Sequence, residues 1–197
     1  MAKLSNREKL LEEGLRVVHQ HGFGASSVRD IVQAAGVPQG SFTNHFASKE
    51  AFGLEVLERY FARGSERVRA TLRNDAIAPL ERLRGYLRSQ LEHQKQNDMR
   101  SGCLYGNFSA EASDHSEPIR TRIIEIFREN QESLAYCLKA AVDAGELAKD
   151  TDIEELSGFI QSSLQGAILL GKAQRSPVPL ERLERVLFSS ILRSPSN

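Results

Sequence analysis

SSVRDIVQAAGVPQGSFTNHFASK, residues 26–49, decides how the rest of the chain is read. Val28, Ile31, Val32 and Ala35 recur at helical spacing, and Ser27 stands before them as an N-cap. Gly36-Val37-Pro38 then turns the chain. Gly36 tolerates positive φ, and Pro38 suits the first position of a helix, where a missing N–H costs nothing. A third helix is expected from Gln39 to His45, with Phe42 as its one large apolar anchor. Its other residues are small or hydrogen-bonding, as a helix lying in a major groove requires. Two short helices across a Gly-containing turn have the spacing of a helix-turn-helix.

Upstream, Leu10, Leu11, Gly14, Leu15, Val17 and Val18 stripe a helix over residues 5–21, with Ser5 or Asn6 available as N-cap. His21-Gly22-Phe23-Gly24 ends it, with Gly22 a natural residue for a positive φ. Downstream, Phe46 is expected to pack inward. Ser48 is expected to cap a fourth helix carrying Phe52, Leu54, Val56, Leu57, Tyr60 and Phe61. Helical segments follow at about 79–96, 101–113, 117–145, 152–173 and 179–193, and the final SPSN is read as frayed. No run alternates at strand period between hairpin turns. The expected fold is all-α, with about nine helices. A three-helix head occupies residues 1–50, the fourth helix (about 48–64) links, and residues 65–197 form a helical sensor and dimerisation domain.

The 197 residues are 40% hydrophobic and 26% charged, an ordinary globular balance that can bury a substantial core. No apolar run approaches the ~20 residues a bilayer span needs. The opening MAKLSNREKLLEEGL lacks a signal-peptide core, so a cytoplasmic protein without a membrane partner is expected. Cys103 and Cys137 are too few and too isolated for a disulfide framework or a zinc site, and no cofactor or metal is expected. The 26 basic and 26 acidic side chains cancel, a mild argument against nucleic acid. Within residues 1–50, Lys3, Arg7, Lys9, Arg16, Arg29 and Lys49 face Glu8, Glu12, Glu13, Asp30 and Glu50, six against five. Such a head needs doubling by a dimer, and contacts from helix N-termini.

Read as chemistry, Gln39 and Asn44 suit bidentate contacts to adenine, and Ser41 and Thr43 suit bases or phosphates. Arg29 and Lys49 flank the third helix and suit phosphates, which fix register without reading sequence. The whole head, from about Arg7 to Leu57, resembles the N-terminal domain of TetR-family transcriptional repressors. The matching pattern is an amphipathic helix ending in HGF, then SSVRDIVQAAGVPQGSF, then HF-x-SKE-x-F. The resemblance implies contacts to double-stranded operator DNA from Ser27, Arg29, Gln39, Gly40, Ser41, Thr43, Asn44, His45 and Lys49, with Phe42 and Phe46 structural. Thr43 departs from the pattern: the family most often has Tyr there, and Thr reaches less far. The family often has His or Tyr at the position of His45, so the resemblance implies a contact near a phosphate there.

The body must supply the switch and the dimer. Residues 153–171 hold Ile153, Leu156, Phe159, Ile160, Leu164, Ala167, Ile168 and Leu170, punctuated by Gly158, Gly166 and Gly171; residues 180–192 add Leu180, Leu183, Val186, Leu187, Ile191 and Leu192. Helices at about 152–173 and 179–193 are expected to build a homodimer as a four-helix bundle, although such stripes also pack inside one subunit. Cys103 follows Gly102 near the start of a helix, where the positive end of the dipole favours a thiolate; a small buried hydrophobe is the plainer reading. SGCL (101–104), SAE (109–111), D-x-SE-x-x-R (114–120) and GA-x-L-x-x-K-x-x-RS (166–176) resemble the TetR subgroup of N-ethylmaleimide reductase repressors. That resemblance implies Cys103 as sensing thiol and Lys172 as its partner. The GCL part of that motif also occurs in TetR proteins that sense reversible ligands. Cys137, inside SLAYCLKAA, reads as core.

The leading expectation is therefore a homodimeric repressor released from a palindromic operator when an electrophile or oxidant modifies Cys103. The alternative is relief by a reversibly bound organic ligand, with Phe61, Tyr86, Met99, Tyr105, Phe108, Phe127, Tyr136 and Phe159 as candidate lining. Either signal is expected to move the body against the fourth helix and lower DNA affinity through a two-state shift. A thiol enzyme using Cys103 with His93 or His115 has no triad-like constellation behind it, and a helical adaptor without DNA leaves the head unexplained.

Overall fold

A computed structural model describes residues 4–192, and among these the chain is all helical, without a strand. The helices are α1 (Asn6–His21), α2 (Val28–Ala35), α3 (Ser41–His45), α4 (Lys49–Ala70), α5 (Pro79–Lys95), α6 (Leu104–Ala112), α7 (Glu117–Asp143), α8 (Ile153–Gln174) and α9 (Val178–Val186). A π-type turn, Leu187–Ile191, closes with Leu192 N donating to Leu187 O at 2.8 Å.

Four boundaries differ from expectation. α3 begins at Ser41, because Ser41 N donates to Pro38 O at 2.9 Å and Pro38 therefore sits in the turn rather than at the helix start. α4 runs on to Ala70. α6 starts at Leu104, since Gly102 takes φ +71. The last segment gives up α-helical bonding at Leu187. Arg193 and the SPSN tail lie outside the described residues.

The chain divides into two compact units: one runs to Arg63 and adds Leu104–Glu125, and the other combines Gly64–Cys103 with the chain from Ile126. In the first, α1 packs on α2 and α3 over Leu10, Val18, Ile31 and an aromatic cluster of Phe42, Phe46 and Phe52. The cluster fits because Gly14 has no side chain: a Cβ there would lie 2.3 Å from Phe52 Cζ. Ion pairs tie α1 to α4, namely Arg7–Glu55, Arg59–Glu8 at 2.7 Å and Arg63–Glu12 at 2.6 Å. The paired Arg63, then Arg59, hold the Glu12 carboxyl below its ordinary value. α6 and the first turns of α7 belong to this unit, with Tyr105 edge-on to Tyr60 at 5.0 Å and Arg122 paired to Glu58.

The second unit is built on an aliphatic core that includes Leu72, Leu83, Leu134, Leu138, Ile160, Ile168 and Leu187. Arg82 is buried, yet its guanidinium bonds Asp75 and Ile77 O, and Tyr136 donates to the same Asp75 carboxylate at 2.9 Å. Burying that charge is tolerated because it is paired and hydrogen-bonded.

Candidate nucleic-acid interface and thiol segment

The head is assembled from local signals. Ser27 accepts from Asp30 N at 3.1 Å while its own N–H donates to Asp30 Oδ2 at 2.8 Å, a complete capping box for an eight-residue helix. These bonds from Ser27 hold the Asp30 carboxyl below its ordinary 3.8. Gly36 closes α2 at φ +60, ψ +39, the left-handed conformation its turn demands. Phe42 and Phe46, 3% and 4% exposed, are buried against Phe52.

Around that anchor, Ser27, Arg29, Gln39, Gly40, Thr43, Asn44 and His45 are all exposed. The chain thus brings seven of the nine expected DNA residues out to solvent on α2, α3 and the turn between them. Thr43 Oγ1 donates to Gly40 O at 3.1 Å, which tethers the hydroxyl to its own backbone. Ser41 is placed differently: it is 7% exposed and its Oγ accepts from Asn6 Nδ2 at 3.3 Å, so it secures α3 to α1. Lys49 is half-buried. Its ammonium donates to Gly24 O at 3.3 Å and lies 4.7 Å from the centre of the Phe23 ring. Burial lowers its pKa, partly countered by the Glu111 and Asp30 carboxylates.

Two contacts on this loop come from α6. Gly24 N donates to Glu111 Oε2 at 2.9 Å, and Phe23 stacks on Phe108 at 4.7 Å. Nothing in the spacing of SAE or of HGFG announces that these segments meet; the paired glycines around Phe23 are the only sequence trace of a close approach.

The thiols occupy different settings. Cys137 is 1% exposed, donates to Pro79 O at 3.2 Å, and burial pushes its thiol up to about 11. Cys103 is half-buried, packs at the edge of the second unit's core, and directly precedes α6. The turn before it holds Asp98 and Met99 at φ +50 and +56. That turn is stapled from two sides. Gln94 Nε2 donates to Gly102 O and Arg175 Nη1 to Met99 O, each at 3.2 Å. Met99 presses against Gly171, where a Cβ would lie 2.8 Å from its Cε. Lys172, the expected partner of Cys103, is the next residue on α8 and is half-buried in its last turn. Of the candidate ligand-lining aromatics, Phe108 is committed to Phe23, while Tyr136 and Phe159 are exposed.

No group of three or more His, Cys, Asp or Glu among the described residues is placed to hold a metal ion, and no described helix is long and apolar enough to cross a membrane. On α8, Phe159, Leu169 and Leu170 stand out to solvent at 48%, 66% and 49%, joined by Val186 and Ile191 at 43% and 41%.

The family model for bacterial regulatory proteins of the tetR family matches residues 10–56, and that for the tetracyclin repressor-like C-terminal domain matches residues 79–187. The chain is 36% identical to the HTH-type transcriptional repressor DhaR of Mycobacterium sp. (strain GP1) over 197 residues, covering 100% of this chain and 98% of that one. It is 31% identical to the HTH-type transcriptional repressor NemR of Escherichia coli K12 over 175 residues, 89% and 88% of the two. Among solved structures, the reduced form of E. coli NemR superposes with a TM-score of 0.88 at 30% identity, covering 98% and 99%. A TetR regulatory protein from Rhodobacter sphaeroides superposes with a TM-score of 0.87 at 30% identity, covering 92% and 96%.

Proposed function

The chain belongs to the TetR family of bacterial transcriptional regulators, and on that premise we propose that it is a homodimeric repressor of a palindromic operator. The observation that carries the reading is the exposed polar surface of α2 and α3 around a buried Phe42. Gln39, Asn44 and Thr43 read bases; Ser27, Arg29, Gly40, His45 and Lys49 hold phosphates; Ser41 seats the helix. With so little positive charge per head, affinity comes from two heads on half-sites one DNA turn apart. The exposed Phe159, Leu169 and Leu170 of α8, with Val186 and Ile191 beyond it, supply the apolar face that a second copy covers.

Release from DNA follows modification of Cys103. It is the thiol that is not sealed in the core, and one of the relatives is solved in a form described as reduced. The thiolate adds to the β-carbon of an activated alkene, a C–S bond forms, and the resulting carbanion takes a proton from water. Lys172 assists from the end of α8. A reversible organic ligand is the second reading. One feature favours it: Arg67 Nε is buried and has no hydrogen-bond partner among the described residues, beside the buried Tyr86, whose hydroxyl desolvation raises to about 12.

Operator binding by wild type, Cys103→Ser and Lys172→Ala, measured with and without N-ethylmaleimide, tests the proposal. Wild type should leave the DNA on treatment and Cys103→Ser should stay. If both stay bound, the thiol reading falls and the reversible ligand takes its place.

A further inference from the structure

Residues 22–24 open the loop between α1 and α2, which runs from 22 to 27, and they are held from three sides. Glu111, in the last turn of α6, accepts from Gly24 N at 2.9 Å. The same carboxylate fills the space beside Gly22, where a Cβ would lie 2.7 Å from Oε1; Gly22 also takes φ +93. Between the glycines, Phe23 stacks on Phe108 of α6 at 4.7 Å with an interplanar angle of 28°. Phe23 also lies close against Gly53 of α4, where a Cβ would be 2.7 Å from the ring. Lys49 closes the third side, with its ammonium on the Phe23 ring and on Gly24 O.

This loop feeds the DNA-facing surface directly. Ser26 Oγ donates to Gly22 O at 2.6 Å, and the next residue is Ser27, which caps α2. Whatever fixes Gly22 and Gly24 therefore fixes the start of α2 and the ammonium of Lys49. We propose that Glu111 and Phe108, on α6, are positioning residues for DNA binding: they touch no base or phosphate, but set the α1–α2 loop and Lys49 for the backbone. The proposal rests on the operator-binding reading and deepens it. In the chain, α6 begins at the residue after Cys103.

Charge and positioning predict opposite signs. As bare electrostatics, removing an acidic side chain from a DNA-binding head tightens binding, because phosphate repulsion falls. As positioning, removal frees the loop and weakens it.

The experiment uses the full-length protein and a fluorescent duplex that the wild type itself enriches from a random pool, with affinity read by anisotropy. Glu111→Ala should weaken binding about tenfold, the size of a lost charge-assisted hydrogen bond. Glu111→Gln keeps an acceptor oxygen and should recover most of that. Lys49→Ala/Glu111→Ala should lose much less than the product of the single losses, because both act on one loop. Phe108→Leu, which preserves an apolar core residue, should weaken binding severalfold and covers the case in which Glu111→Ala melts at assay temperature. Unchanged or tighter binding by folded Glu111→Ala, or unchanged binding by Phe108→Leu, overturns the proposal. A wild type that enriches no sequence overturns the operator reading itself, a separate result.

Discussion

α3 is five residues long and α8 twenty-two, and different forces hold them. An isolated helix shorter than about 12 residues is marginal in water, so α2 and α3 depend on devices at their ends. Those devices are a capping box at Ser27, a left-handed glycine at position 36, and one aromatic anchor, Phe42. α8 depends on its length and its stripes: Ile160, Leu164 and Ile168 face its own core, while Phe159, Leu169 and Leu170 face outward. End devices belong to particular residues at particular places. Stripes are common to many helical bundles. The head is therefore specified residue by residue, and the body largely by apolar pattern, which bears on how each fails when perturbed.

The largest expected contrast lies in the thiols of the second unit, and it tests how firm the long-helix core is. N-ethylmaleimide at neutral pH should add once per chain, at Cys103, as read by intact mass and peptide mapping. Cys137, its thiol raised to about 11 by burial, should label at least about 100-fold more slowly, since only the thiolate attacks. Equal labelling means the core opens on the time scale of the assay, and the body is no firmer than the head.

One substitution made in both regions should change stability in opposite directions. Gly14→Ala puts a Cβ into Phe52, 2.3 Å from its nearest atom, and overpacking of this kind costs about 1–3 kcal/mol. Gly85→Ala, inside α5, meets only Thr71 Cγ2 at 4.0 Å and should stabilise by about 0.5–1 kcal/mol through helix propensity. Urea unfolding of the two variants against wild type gives both numbers. A Gly14→Ala protein as stable as wild type breaks the claim that the head is jigsaw-packed around its aromatic cluster.

The same contrast explains what the sequence could reveal. The fold class, the caps at Ser27 and Ser48, and the inward Phe42 and Phe46 were readable because each is a local rule with a local partner. Ser41 was not, since its inward turn depends on Asn6, 35 residues away. The start of α3 was misplaced by two residues because Pro38 suits a turn as well as a first helical position. Cys137 was legible as core from its apolar neighbours. The grip of Glu111 on Gly24 spans 87 residues and leaves no periodic trace, so only folding brings it into view.

The smallest effect concerns the caps, and it asks whether a short helix depends on its cap more than a long one does. Ser27→Ala removes the acceptor for Asp30 N and should cost about 1 kcal/mol. Asp152→Ala removes the cap of α8, which accepts from Glu155 N at 3.1 Å, and should cost about half as much, because one frayed turn is a smaller share of a 22-residue helix. The pH dependence carries its own sign. Asp30 is held below 3.8, so its contribution is present above that value and is lost as pH falls through the lower folded one. In Ser27→Ala the carboxylate keeps the backbone N–H but loses the hydroxyl, so an NMR titration should move its midpoint up towards 3.8, narrowing that window. Equal costs at the two caps, with an unmoved Asp30 midpoint, would mean that packing on α1 rather than the capping box holds α2, and the head would then be specified by the same means as the body.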